Sequence, residues 1–328
     1  MDTLTHMALG AAVGEVVGGK MLGRKAAVAG AIVAILPDLD VAVQPFLSSA
    51  ASMLFHRGIT HSFIVWLVVA PLVGYFIWRF YRKTPMQKWI LVSLAAWFSH
   101  ILIDGFNSYG TAWFLPFSSY RVAIGSIAVV DAFISLPLLL FLVVVLLKRD
   151  LYILTFARWI VGYVGLYLSL SLLLQGVVVG RAANEFERRG IEVKRVSAYA
   201  APFSLLVWQV EGETDSSFVM ANQGAFKSNS TEMFSFKKRW ELLSPFSDNE
   251  DISRVIQFTQ GHYIVSQRND SLIITDLRFA PLVLEGENTS FVVSFPVSVS
   301  GDSASVGRGY PKRSFSRETF ALWMEIAF

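Results

Sequence analysis

Apolar residues dominate six segments in the first 180 positions, roughly 5–19, 26–43, 62–78, 89–103, 122–147 and 159–180. A bilayer core takes about 20 helical residues. The third, fifth and sixth segments are the clearest spans, and the shorter first, second and fourth fit as tilted, partly covered or re-entrant segments. The pattern predicts six crossings, with four as the alternative. After about residue 181 the pattern changes. The runs IEVKRVSAYA, FSLLVWQVEG, SFVMA, HYIVSQ, SLIITDLRFA and SFVVSFPVSV alternate β-branched and aromatic residues, and Gly, Asn, Asp, Ser and Pro divide them. Such runs predict antiparallel strands. SDNEDISRVIQFTQG, with a polar start, apolar Ile252, Val255, Ile256 and Phe258, and Gly261 as a stop, predicts one inserted helix. The expected fold is an α-helical polytopic membrane domain over 1–180, with about four to six transmembrane helices, followed by a soluble β-rich domain over 181–328.

Composition agrees with a membrane class. Hydrophobic residues make up 54% of the 328 and charged residues only 16%, unlike an average soluble protein. The net charge is +3, but Lys and Arg sit in short clusters between apolar segments, which marks topology and gives no nucleic-acid surface. Lys20, Arg24 and Lys25 lie in the first connection, Arg79, Arg82, Lys83 and Lys88 in the third, and Lys148, Arg149 and Arg158 in the fifth; the second and fourth hold only Arg57 and Arg121. The positive-inside rule then puts the odd connections in the cytoplasm, and the N-terminus, the even connections and everything after Arg181 outside. MDTLTH lacks the basic start of a cleaved signal peptide, so the first apolar segment is expected to be retained.

Four of the five histidines, His6, His56, His61 and His100, fall in the first 100 residues beside Asp38, Asp40 and Asp104. Imidazoles and carboxylates at membrane depth are costly unless paired, wetted or bound to a cation. The topology sorts them all, with Asp2, to the outer face, which predicts one shared polar site. Cysteine is absent, so any metal falls to imidazole and carboxylate. In HRGITHS, residues 56–62, two imidazoles five apart diverge on a helix and converge only if the Gly58 region is non-helical. Arg57 offers a forked phosphate contact, and the start of the following helix favours an anion. His100 and Asp104, four apart, share one helical face. In LPDLD, residues 36–40, a turn splays two carboxylates around a cation. An interfacial loop, a helix-end pair and a Pro37 kink are the competing accounts of these three motifs. Glu15 and Asp131 lie deepest, as buried protonated acids or as outer supports of the site. His262 and the Asp276–Arg278 pair of DLRF are expected to be structural. GxSxG, P-loop and GxGxxG motifs are absent, which removes serine hydrolase, nucleotide and dinucleotide readings.

The ordered segments MDTLTH, GAAVGE, LPDLD, HRGITHS, HILIDGFNSYGT, PFSSYRVAIGSI and VVDAF resemble the bacterial inner-membrane metal-dependent hydrolases linked to LexA regulation. The resemblance covers residues 1 to about 145 and, more loosely, the tail through DLRF. It implies a metal held by His56, His61, His100, Asp104, Asp38 and Asp40, with His6, Asp131 and Asn107 as further members. It also implies hydrolysis. That ligand set suits one or two Zn²⁺ ions and also accepts Mn²⁺ or Fe²⁺. Asp38 or Asp104 is then the proton acceptor and Arg57 the phosphate contact. A site at headgroup level makes a membrane phospholipid phosphodiester, or another amphiphilic ester, the expected substrate. Two alternatives stand beside this: an ion-coupled transporter using Glu15 and Asp131, and a non-catalytic envelope protein with a structural metal and a partner-binding β domain.

Overall fold

The computed structural model describes residues 1–147, 152–203, 205–227, 232–268, 271–279, 281, 283–286, 289, 291–300, 303–307 and 317–327. Lys148 and Arg149 of the fifth connection, and Ala280 and Ser290 at the ends of two predicted strands, lie outside them. The chain forms two compact units. One comprises residues 1–44, 55–124 and 129–170, the other 45–54, 125–128 and 171–328.

The chain up to Arg188 is mostly helical, with residues 45–54, 125–128 and those from 171 on belonging to the second unit and the rest to the first. Helices α1 (Thr3–Leu22) and α2 (Arg24–Val33) lead to a 3-10 segment, Pro37–Phe46; α3 (Ser49–Phe55) and a 3-10 turn, Ile59–His61, precede α4 (Phe63–Phe80), α5 (Met86–Gly105), α6 (Ala132–Leu147) and α7 (Ile153–Arg188). Among the described residues, four stretches are long and apolar enough to cross a membrane: Arg24–Phe46, Phe63–Phe80, Met86–Gly105 and Ile153–Arg188. The fifth apolar segment, expected as a clear span from 122, becomes helical only at Ala132 and is a shorter 16-residue helix. Its first part is taken up elsewhere: Thr111 and Val122 form an antiparallel bridge, and Ile124 N–H donates to the Gly105 carbonyl at 3.0 Å.

Helices α1 and α2 lie against each other through Gly10, Gly14 and Gly30. A Cβ on Gly30 would stand 2.1 Å from the Gly10 carbonyl oxygen, and one on Gly14 2.3 Å from that of Ala26. Missing side chains therefore let two backbones meet, a common device between apolar helices, where hydrophobicity alone gives no reason to associate. Helix α5 fills the groove beside them. Trp89 and Val92 pack on Leu22, Ala26 and Ala29, while Ala96, Trp97 and Ile101 pack on Val33, Ala34 and Ala70. Both ends of α5 are thus fixed against α2.

The second unit holds two four-stranded antiparallel sheets. Strands β1 (Arg195–Ala200), β2 (Val207–Glu213), β3 (Ser217–Gly224) and β4 (Phe234–Lys237) form one in sequential order, and β5 (Tyr263–Arg268), β6 (Ser271–Asp276), β7 (Val293–Ser300) and β8 (Ser303–Val306) the other. Strands β4 and β8, four residues each, were not expected from the pattern. The inserted helix is α8 (Glu250–Thr259), capped by Asn249 accepting from Asp251 and Ile252 N–H, and stopped where Gln260 and Gly261 take positive φ. A last helix, α9 (Arg317–Ala327), covers the first sheet through Trp323 and Ile326 on Val207.

Candidate metal centre

The polar residues of the first unit gather where α1 and α4 begin and where α2 and α5 end. Asp2 caps α1 by accepting from Thr5 N–H at 3.0 Å, one turn before His6. Beyond α2, successive 3-10 residues are about 120° apart. Asp38 and Asp40 therefore diverge: Asp38 keeps 16% of its side-chain exposure and Asp40 none.

HRGITHS is non-helical at its centre, as convergence requires, but the left-handed residue is Arg57 (φ 57°) and not Gly58 (φ −84°). A non-glycine residue there costs roughly 1–3 kcal/mol and needs outside support. Arg57 N–H donates to Asp40 Oδ2 at 3.1 Å, its carbonyl accepts from Ala112 N–H at 3.0 Å, and the Arg121 guanidinium donates to the His56 carbonyl at 2.8 Å. The loop after α5 thus clamps the loop before α4. Ser62 then caps α4, accepting from Val65 N–H.

Asp38, His61, His100 and Asp104 form one set of side chains able to hold a metal ion. The His61 and His100 Nε2 atoms are 3.0 Å apart, each is 3.4 Å from Asp38 Oδ1, and they lie 3.7 and 3.6 Å from Asp104 Oδ2. Donors bonded at about 2.0–2.1 Å in a tetrahedron stand about 3.4 Å apart. The four atoms therefore already have the spacing of a tetrahedral zinc-type shell. Asp38, Asp40 and His56 form a second such set, sharing Asp38.

Hydrogen bonds decide which ring nitrogens carry protons. His100 Nδ1 lies 2.6 Å from the Ala34 carbonyl, which can only accept, so Nδ1 holds a proton and in the neutral, metal-binding ring Nε2 is the bare nitrogen. The Thr60 hydroxyl donates to Asp40 Oδ2 at 3.0 Å. Its one proton is then committed, so its oxygen accepts from His61 Nδ1, also at 3.0 Å. His61 Nε2 is bare as well. Burial, opposed by Asp38, pushes the His61 pKa down to about 4, which keeps the ring neutral at pH 7. Two lone pairs thus face each other at 3.0 Å, beside Asp38 Oδ1, which has no hydrogen-bond partner among the described residues, and Asp104 Oδ2, which is ion-paired with Arg57 Nε at 3.1 Å. Two bare nitrogens and the bare Asp38 oxygen repel unless a cation lies among them, and Arg57 reaches only Asp104, so the residues present fit a metal.

The other expected members are placed around this core. Asp40 is a hub: besides Thr60 and Arg57 N–H, its Oδ1 accepts from His56 Nδ1 at 2.8 Å. Arg57 reaches Asp104 Oδ2 at 3.1 Å and donates to Asn107 Oδ1 at 2.9 Å, with Tyr109 against its guanidinium. His6 faces the other Asp104 oxygen at 3.2 Å and stacks on His100, outside the four-donor set; the Met1 amino group also contacts that oxygen. Asp131 is held away, accepting from Tyr167 and from Phe133 N–H at the start of α6, and Glu15 lies mid-helix in α1. In the second unit, His262 pairs with Glu211 at 2.7 Å, and Arg278 forks onto Asp276 at 2.7 and 3.1 Å, both buried structural contacts. Sequence reasoning missed Thr60 and the Ala34 carbonyl. Thr60 sits inside the conspicuous HRGITHS motif, but no residue type announces a carbonyl's partner.

The model of the YdjM inner membrane protein family matches residues 1–182. Inner membrane protein YbcI of Escherichia coli (strain K12) is 33% identical over 121 residues, 36% of this chain and 69% of YbcI. Uncharacterized protein YfhP of Bacillus subtilis (strain 168) is 35% identical over 144 residues, 41% of this chain and 43% of YfhP. The match thus spans less than half of YfhP. No solved structure matches.

Proposed function

Because the chain belongs to the YdjM inner membrane protein family, we propose that it is a membrane-bound metal-dependent hydrolase, with the metal held by Asp38, His61, His100 and Asp104. The observation that carries the reading is the pair of bare imidazole nitrogens 3.0 Å apart, each within 3.7 Å of an oxygen of Asp38 and of Asp104. Zn²⁺ suits the tetrahedral spacing best, with Mn²⁺ or Fe²⁺ as competitors. Such a cation supplies Lewis acidity, bringing the ionisation of water from near 15.7 toward about 7.

The chain's own groups divide the remaining work. Asp38, the one carboxylate of the inner set with solvent exposure, is placed to take a proton from attacking water. Arg57, buried and braced by Asp104, Asn107 and Tyr109, offers its guanidinium to a phosphodiester oxygen. The substrate class is a phospholipid or another amphiphilic ester, which reaches a site at helix ends by lateral diffusion. All site-bearing helix ends lie opposite the basic connections that hold Lys20, Arg24 and Lys25 and Arg79, Arg82, Lys83 and Lys88. This supports a site at the outer face of the inner membrane, with the β-rich region after Arg181 outside the cytoplasm. A reporter fused after Arg181 should be active outside, and cytoplasmic activity would invert the topology.

One observation favours a second reading. Four protein donors fill a tetrahedral shell, as in structural zinc sites, so the metal would clamp three helix ends and catalyse nothing. The test is metal analysis of the purified full-length protein beside His61→Ala and His100→Ala, together with phospholipid hydrolysis in vesicles. Loss of stoichiometric metal from both variants, with loss of hydrolysis, is the expected result. Metal retained by both removes the site; metal lost without any hydrolysis by the wild type selects the structural clamp.

A further inference from the structure

We propose that the centre holds two ions, the inner one in the four-donor set and an outer one held by Asp38, Asp40 and His56, with the Asp38 carboxylate shared between them. This rests on the metal-dependent reading above and adds the number of ions and the open coordination that hydrolysis needs.

The first support is composition. The donor atoms of Asp38, Asp40 and His56 all lie within 4.8 Å of one another, and Asp38 belongs to both sets. Paired metal sites in hydrolytic enzymes stand about 3.5–4 Å apart, a separation that one bridging Asp38 oxygen can span while the other stays free to take a proton.

The second support is the difference between the sets. His61, His100 and Asp104 have no exposed side-chain surface, so the inner set is complete and reaches solvent only through Asp38. His56 and Asp38 keep 18% and 16% exposure, so the outer set faces solvent. Three protein donors leave a coordination position for water or substrate, the arrangement of catalytic rather than structural zinc. The four-coordinate ion then fixes the helix ends, and the three-coordinate one meets the substrate.

The third support is that the outer donors are held ready without a metal. His56 Nδ1 and Asp40 Oδ1 share one proton at 2.8 Å, while Arg57 N–H and Thr60 hold the other Asp40 oxygen in place. If Nδ1 is the ligating atom, the cation takes the place of that proton, which moves to Nε2 of the same ring, with little rearrangement of the heavy atoms.

The test is zinc content per chain of the full-length protein in detergent, loaded with Zn²⁺ and dialysed against metal-free buffer. The wild type should keep two ions and His56→Gln one, since glutamine still donates toward Asp40 but lacks the imidazole. One ion in the wild type, or two in His56→Gln, overturns the proposal and leaves the inner site standing. No ion in the wild type overturns the metal-dependent reading itself. Should His56→Gln fail to fold, paramagnetic resonance of the wild type saturated with Mn²⁺ decides: a spin-coupled pair supports two adjacent ions, and isolated ions alone refute them.

Discussion

Thr60→Val tests the protonation logic of the centre without touching a proposed ligand. Valine keeps the shape of threonine but removes the hydroxyl that receives the His61 Nδ1 proton at 3.0 Å and donates to Asp40 at 3.0 Å. Asp40 is still held by His56 and Arg57 N–H, so the loop should survive. The His61 proton does not: the remaining neighbour, Asp40 Oδ2, stands 3.7 Å away, beyond hydrogen-bond reach, and a buried Nδ1 proton left without a hydrogen bond costs about 1–3 kcal/mol. The ring then moves its proton to Nε2, where His100 Nε2 or Asp38 Oδ1 accepts it. A metal must reverse that tautomer before it binds. Loss of such an orienting partner weakens metal binding about 10- to 100-fold, or about 1.4–2.8 kcal/mol. Zinc titration against a chromophoric chelator in detergent measures it. Thr60→Ser, which restores the hydroxyl, should bind within about threefold of wild type, an allowance of under 1 kcal/mol. Affinity of Thr60→Val within twofold of wild type would refute the tautomer assignment, and with it the facing lone pairs.

Three further outcomes follow from the same structure. For the chelator-treated protein, burial lowers the His61 pKa from 6.5 to about 4, so between those values the unfolded chain binds more protons than the folded one and stability falls as pH drops; the melting temperature should be lower at pH 5 than at pH 7, with the difference reduced in His61→Gln, and an unchanged or rising value would contradict it. Gly30→Ala places a Cβ 2.1 Å from the Gly10 carbonyl oxygen and should destabilise by about 1–3 kcal/mol or more, whereas Gly165→Ala, with nothing within 4 Å of its Cβ, should melt like the wild type; equal melting temperatures would sink the close-approach account. Arg278→Met strands the buried Asp276 carboxylate and should cost about 3–5 kcal/mol, read as unfolding of the β-rich unit by tryptophan fluorescence, with Asp276→Asn in the same chain recovering part; full stability of the single variant would show the pair to be dispensable.

Much of the fold follows from local periodicity. Apolar runs of 16 or more residues can satisfy their backbone in lipid only as helices, and two-residue alternation with turn residues between marks most strands of the second unit. Short β4 and β8 escaped because four residues carry too little pattern, and the helix over 132–147 starts late because residues 122 and 124 hydrogen-bond to the loop after α5, a contact that hydropathy does not register. The identity of the polar residues was equally open to the eye: imidazoles and carboxylates in so apolar a chain have few harmless explanations.

What the sequence by itself determined, then, was which residue types stand at which helix ends, because charge and apolarity are properties of single positions. Which of them meet was decided only by tertiary structure. Glycine contacts set the approach of α1 to α2, α5 packs into the groove beside them, and the clamp between two loops holds Arg57 in a left-handed conformation. That packing selects Asp38, His61, His100 and Asp104 for one set, turns Asp40 and His56 toward another, leaves His6 beside Asp104 and sends Asp131 to Tyr167. A donor set is a matter of about 3 Å separations between residues up to 66 positions apart, and only the folded chain specifies distances on that scale.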